Sequence, residues 1–390
     1  MGRPNDNSDH VAPSSRARTS LRPTTLDDLR RFAIARSLFA PTTLKRALTR
    51  LGYVQADPIR APARAQDLIL RHRVTAYRAG DLERLYPTLG VEEDFFLAYG
   101  FVTKSIESLM HPRSIRGVPV SPGIPWSRAR RTQAERLLEF VRERGAVHPR
   151  EVAAHFSPRS VRNYWGGSSN ATTALLAGLH YRGMLRVQRR DAGIRVYAPH
   201  RHGDEPADSQ EIRARVDALA RAAIAIYAPL TAKGLTQLVR RLRYAVPQWR
   251  NHLTSALGRA QDQLAHARVD GVEWYWPTGE HPDHHPVADT VRLLAPFDPV
   301  VWDRDRLQML WGWAYRFEAY VPAPKRKLGY YALPLLWRDQ LIGWGNLSVP
   351  NGTLVSQIRF VGPRAPRDAA FTRELDAELE RMRAFLGVAG

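Results

Sequence analysis

Gln55 and Asp57 stand two residues apart in the run Leu51-Gly52-Tyr53-Val54-Gln55-Ala56-Asp57-Pro58. Alternate side chains of a strand point to one face, so a strand over 53–56 would project an amide and a carboxylate together. A predicted helix over 62–72 follows, and Arg60, Arg64 and Arg71 stand beside or within it. An amide and an acid next to basic side chains could hold a water molecule against a phosphate-bearing substrate. A structural reading stands beside this one, because an Asp before Pro often caps a helix. Pro62 could not continue a helix begun at Pro58 without losing a backbone bond. The helix is therefore expected to start near Ala61, which leaves Asp57 without an evident capping task. From the residues alone both readings stay open.

The chain has 390 residues, and 44% of them are hydrophobic, enough for two or three packed domains rather than a disordered polymer. Its net charge of +20 and pI near 10.8 point to a polyanionic partner. Lysine occurs only at Lys45, Lys104, Lys233, Lys325 and Lys327. A GC-rich genome can favour arginine over lysine, but it does not explain the excess of basic over acidic residues. The absence of cysteine excludes disulfides, thiolate zinc sites and iron–sulfur clusters. The expected class is a cytoplasmic, nucleoid-associated, DNA-binding protein without a cofactor or metal. No apolar run approaches a membrane span, and the polar first twenty residues do not form a signal peptide.

Around the pair, the chain reads as a repeated unit. Thr25 and Asp28 form a capping-box pattern that opens a helix over 26–38. Leu44, Leu48 and Leu51 recur at helical spacing before Gly52, and the strand and third helix follow. Helix, helix, strand, helix is the order of a winged helix. A second unit places helices at 128–144 and 149–156, then a helix capped by 168–170 and a hairpin turning at Asp191-Ala192-Gly193. A third places helices at 209–226 and 231–243, another from Pro247, and a hairpin at Asp270-Gly271. From Val291 the pattern is β. Strands are expected where Tyr315, Phe317, Ala319 and Val321 alternate with Arg316, Glu318 and Tyr320, and at 329–337, 341–349 and 354–361, with a closing helix over 367–385. Glu92-Glu93-Asp94 reads as a solvated helix N-terminus, and His281-Pro282-Asp283-His284-His285 as a linker. The predicted fold class is thus α+β: tandem winged helices followed by a small antiparallel β-barrel or sheet. Its parts are a tail (1–22), three units (23–125, 126–202 and 207–278) and a β-region (288–390), with 121–125 as a linker.

Four stretches resemble the winged-helix DNA glycosylases known as AlkZ/YcaQ-like. They are the Gln55-Ala56-Asp57 segment with Ala63-Arg64-Ala65, Asn163-Tyr164-Trp165-Gly166, the run from Pro296-Phe297-Asp298-Pro299 to Trp302-Asp303-Arg304, and Val321-Pro322-Ala323-Pro324-Lys325-Arg326 with Gly329-Tyr330-Tyr331. The resemblance spans about residues 25–385 in one order. It implies tandem winged helices, a C-terminal β-barrel, and hydrolysis of the N-glycosidic bond of N-alkylated purines. The Q-x-D branch is associated with unhooking interstrand crosslinks. Carried over, Gln55 and Asp57 are the catalytic pair, and Lys325, Arg326 and Lys327 form a DNA-contacting hairpin. Arg60, Arg64, Arg71, Trp165 and Arg316 complete the expected DNA contacts.

No lysine follows the pair, so a monofunctional hydrolase is expected rather than a Schiff-base lyase. The expected partner is double-stranded DNA carrying alkylated or crosslinked purines, bound by a monomer. The alternative is a non-enzymatic winged-helix DNA binder or transcriptional regulator. One departure from the family pattern lies at Phe96-Leu97-Ala98-Tyr99-Gly100-Phe101, where relatives tend to carry a Trp/His-containing segment; altered or narrowed substrate scope is expected from it.

Overall fold

Residues 23–113, 126–156, 160–162, 168–362 and 366–389 are described by the structure, a computed structural model. The expected tail, the linker at 121–125 and Trp165 lie outside them. Local signals placed several helix ends closely. Thr25 and Asp28 exchange both capping-box bonds at the start of the helix Leu26–Ser37. Gly52, at φ 70°, ends the helix Leu44–Leu51. Asp270 and Gly271 both take positive φ in the hairpin joining Leu264–Val269 to Val272–Pro277, as its tight turn requires.

The sheets are small and antiparallel. Tyr53–Gln55 pairs with Tyr99–Thr103, which pairs in turn with Val91–Phe95. The C-terminal sheet runs in the order Val291–Leu293, Leu333–Trp337, Gln340–Ser348, Val355–Phe360 and remains open, so the sheet alternative holds and the barrel does not. The alternation at 315–321 does not make a strand. Glu318 is buried there, and its carboxylate accepts from the N–H groups of Lys327 and Leu328 at 2.8 and 2.7 Å. A side chain rather than a neighbouring strand thus satisfies the backbone at Lys327 and Leu328.

Glu92-Glu93-Asp94 is a second correction. It is the buried strand Val91–Phe95, not a solvated helix end. Glu92 takes Arg186, Glu93 takes Arg190, and Asp94 takes Arg113, at 2.6 Å each. Buried carboxylates require such partners.

The strand that carries Gln55 is buried on both faces. Tyr53 enters a core with the helix Ser209–Tyr227 and the 264–277 hairpin, while Val54 enters a core that reaches the C-terminal sheet and the helix Ala369–Leu386. At the junction, Arg73 and Asp298 form an ion pair with 0% exposure on either side chain, bonded at 2.8 and 3.0 Å. Removing one partner of such a pair strands a buried charge, at a cost of roughly 3–5 kcal/mol. Asp298→Ala is therefore expected to lower unfolding free energy by about that amount in a denaturant titration.

Candidate active site

Gln55 ends its strand opposite Gly100, and the chain leaves the sheet at Ala56, whose N–H still donates to Tyr99 O. Asp57 is thus two residues on but outside the strand, so strand alternation does not set its direction. Its place is set by a turn: Asp57 Oδ1 accepts from Ile59 N–H at 2.9 Å. This is a short Asx-type turn that spends one carboxylate oxygen and leaves Oδ2 without a hydrogen-bond partner among the described residues. The regular helix starts later than expected, at Ala65, and covers Ala65–Leu70.

Asp57 is buried, and burial raises its pKa above the ordinary carboxylate value, a shift only partly opposed by the Ile59 N–H. No ion pair reaches it among the described residues. Its charge is felt by two tyrosines of the C-terminal region: Tyr320 and Tyr331 are both pushed up, first by burial and then by Asp57. Tyr331 is 2% exposed, with a hydroxyl that finds no hydrogen-bond partner. Tyr320, 73% exposed, stands on the surface of the same segment.

Gln55 is held by Trp302. The indole N–H, which can only donate, is 3.2 Å from Gln55 Oε1, which fixes the orientation of the amide and leaves its NH₂ without a partner among the described residues. Trp302 is placed in turn by the residue that holds the buried ion pair, because the backbone N–H groups of Val301 and Trp302 both donate to the Asp298 carbonyl at 2.8 Å. Its ring lies 4.6 Å from that of Tyr227, and the guanidinium of Arg241 sits 5.1 Å from its centroid. The Phe-Asp-Pro…Trp-Asp-Arg run is therefore a positioning device. Asp298 anchors it, Trp302 reaches the amide, and Asp303 caps the helix Arg304–Trp311. Gln55, though not Asp57, lines a cleft of about 520 Å³ together with Gln237, Arg241, Phe297, Trp302, Asp303, Arg304 and Asp305.

The expected DNA contacts divide. Arg60, Arg316, Lys325 and Lys327 are exposed and free of ion pairs among the described residues. Arg326 is half-buried; it donates to Val321 O at 2.7 Å and lies 5.0 Å from the ring of Tyr330. Arg64 is half-buried in a pair with Glu83. Arg71 is buried against Glu378, its side chain 3% exposed, and its expected phosphate contact is withdrawn. Gln237, Arg241, Trp302 and Tyr331 were missed as site residues. Gln237 and Arg241 carry no local signal, whereas Trp302 and Tyr331 lay in the family-like stretches without a role assigned to them.

The DNA glycosylase AlkZ-like family model matches residues 48–385. The chain belongs to that family. Among solved structures, Streptomyces sahachiroi DNA glycosylase AlkZ superposes with a TM-score of 0.60 at 16% identity, covering 94% of this chain and 98% of that one. That likeness speaks for the fold. As an AlkZ-like DNA glycosylase, the chain is an enzyme with a DNA substrate, and the reading as a non-enzymatic regulator falls away. No helix among its described residues is long and apolar enough to cross a membrane.

Trp302→Phe keeps an aromatic ring but removes the donor to Gln55. Loss of one neutral hydrogen bond is worth about 0.5–1.5 kcal/mol. Base release is expected to slow by up to about tenfold, with little change in melting temperature. An unchanged rate would show that the Trp302 bond does not position Gln55.

Proposed function

We propose that this chain is a monofunctional glycosylase for bulky N-alkylated purines, N7-alkylguanine among them, and that it unhooks interstrand crosslinks. Gln55 and Asp57 are its catalytic pair. The observation that carries the assignment is their unfinished hydrogen bonding. Among the described residues, an amide is fixed through its oxygen with its NH₂ free, and a partly desolvated carboxylate has one oxygen free and no counter-cation.

The chemistry asks for such groups. Alkylation at N7 makes guanine cationic, so the C1′–N9 bond breaks with its electron pair moving to the base, and little acid catalysis is needed. The sugar acquires oxocarbenium character, which an ionised Asp57 stabilises at close range. Water held by Asp57 and the Gln55 amide adds to C1′, and its proton passes to Asp57. A crosslinked base cannot swing freely out of the duplex, so an open cleft suits the substrate better than a closed base-flipping pocket.

In this reading, the three helix-and-hairpin units at about 23–125, 126–202 and 207–278 act as winged helices that grip the duplex, with 288–390 as the fourth part of a monomer. Arg60, Arg241, Arg316, Lys325, Arg326 and Lys327 supply the phosphate contacts, which position the strand without reading its sequence.

The test is release of alkylated guanine from a nitrogen-mustard-treated duplex. Asp57→Asn and Gln55→Ala are both expected to lose release. Because the carboxylate is the working form and burial raises its pKa, wild-type rate should fall with decreasing pH through a midpoint above the ordinary carboxylate range. Unchanged release in both variants, or a rate flat across that range, would reject the assignment.

A further inference from the structure

We propose that Asp94, Glu107 and His111 form a site for a divalent metal ion, zinc being the best fit to their chemistry, with His200 beside Glu107 as a fourth ligand once its ring turns toward the ion. The four come from the strand Val91–Phe95, the helix Lys104–Met110, the residue after that helix, and the residue after the strand Ile194–Pro199. The ligand atoms of Asp94, Glu107 and His111 lie within 4.8 Å of one another, the one such group of three among the described residues. His200 Nε2 stands 3.4 Å from Glu107 Oε1, at the edge of that group rather than within it.

Two of the spacings approach the edges of a tetrahedral site. Bonds of about 2.0–2.1 Å to imidazole nitrogen and carboxylate oxygen give ligand–ligand edges near 3.3–3.4 Å. Glu107 Oε1 stands 3.5 Å from His111 Nε2 and 3.4 Å from His200 Nε2. The third edge, Asp94 Oδ2 to His111 Nε2, is 2.8 Å and would open as a metal replaces the shared proton.

The second observation is Glu107 itself. Its side chain is 9% exposed, yet Oε1 has no hydrogen-bond partner, and the atoms nearest to it in the ion-pair range are imidazole nitrogens. Its neighbours are already paired, Asp94 Oδ1 with Arg113 and Glu92 with Arg186. Glu107 thus lacks a cation of its own among the described residues. A divalent ion supplies the missing positive charge. His202 stacks on His111 with ring centroids 5.6 Å apart and covers that side.

Such an ion would tie the first unit to the second beside the catalytic strand. Gln55 and Asp94 both pair with Gly100, so they lie two strands apart in one row, roughly 10 Å at ordinary strand spacing. The proposal rests on this cluster and not on the assignment of Gln55 and Asp57.

The test uses the full chain, stripped with a chelator and titrated with zinc by calorimetry, and with cobalt by visible absorption. One zinc per chain, cobalt bands of a tetrahedral site, and a melting temperature raised by zinc are expected. Glu107→Gln, which keeps the side-chain shape, and His200→Ala should each weaken binding at least about 10- to 100-fold, the loss that follows removal of even an outer partner of a metal site. Two results would overturn the proposal. One is no saturable binding of either metal by the stripped wild-type chain. The other is binding that both variants retain, which would put the metal elsewhere, for instance at His281–His285.

Discussion

The sealed pair of Arg73 and Asp298 is the constraint on which the placement of Gln55 depends. Two opposite charges with no exposure are tolerable only when every remaining donor and acceptor is met. Here Arg73 also donates to Ser37 O and Ile69 O, and Asp298 accepts from Val300 N–H. The pair therefore fixes the backbone on both sides of the junction. From Asp298 the order passes to the 298–302 turn, then to the indole of Trp302, then to the amide of Gln55. Residues nearly 250 positions apart in the chain are thereby brought to one hydrogen bond.

The arginine excess has two uses in this structure. Arg71, Arg73, Arg113, Arg186 and Arg190 are spent inside, neutralising Glu378, Asp298, Asp94, Glu92 and Glu93. The exposed cations, Arg241, Arg316, Lys325 and Lys327 among them, are left to face a polyanion. Net charge announces the partner but does not tell which cations meet it. Asp57 shows the opposite condition, a carboxylate that burial disfavours and no guanidinium relieves. A group left in that state has a free-energy reason to meet a developing positive charge.

Much of the local structure could be read in advance because its causes are local. The Thr25–Asp28 box, the glycine after Leu51 and the Asp270-Gly271 turn act within a few residues. The strand Val91–Phe95 was not legible, since its carboxylates look like surface charges until Arg186 and Arg190, about a hundred positions later, are seen beside them. The alternation at 315–321 misled because periodicity does not supply a pairing strand, and here Glu318 turns inward to accept from the N–H groups of Lys327 and Leu328. At the site, Gln55 and Asp57 stood out by type and spacing. The Asx turn that orients Asp57, the tyrosines that feel its charge, and the indole that holds Gln55 all depend on tertiary contacts.

The most direct measurement of the central claim is a structure of the chain bound to a duplex containing a cationic, ring-nitrogen mimic of the oxocarbenium sugar. The account predicts Asp57 Oδ2 within about 3 Å of the charged ring, the Gln55 amide beside C1′ with its Trp302 bond intact, and the phosphate backbone running past Arg241 and the 325–327 loop, which follows a short 3-10 turn and is not the expected hairpin. A complex with the sugar bound elsewhere, and Asp57 still engaged only with Ile59, would contradict it.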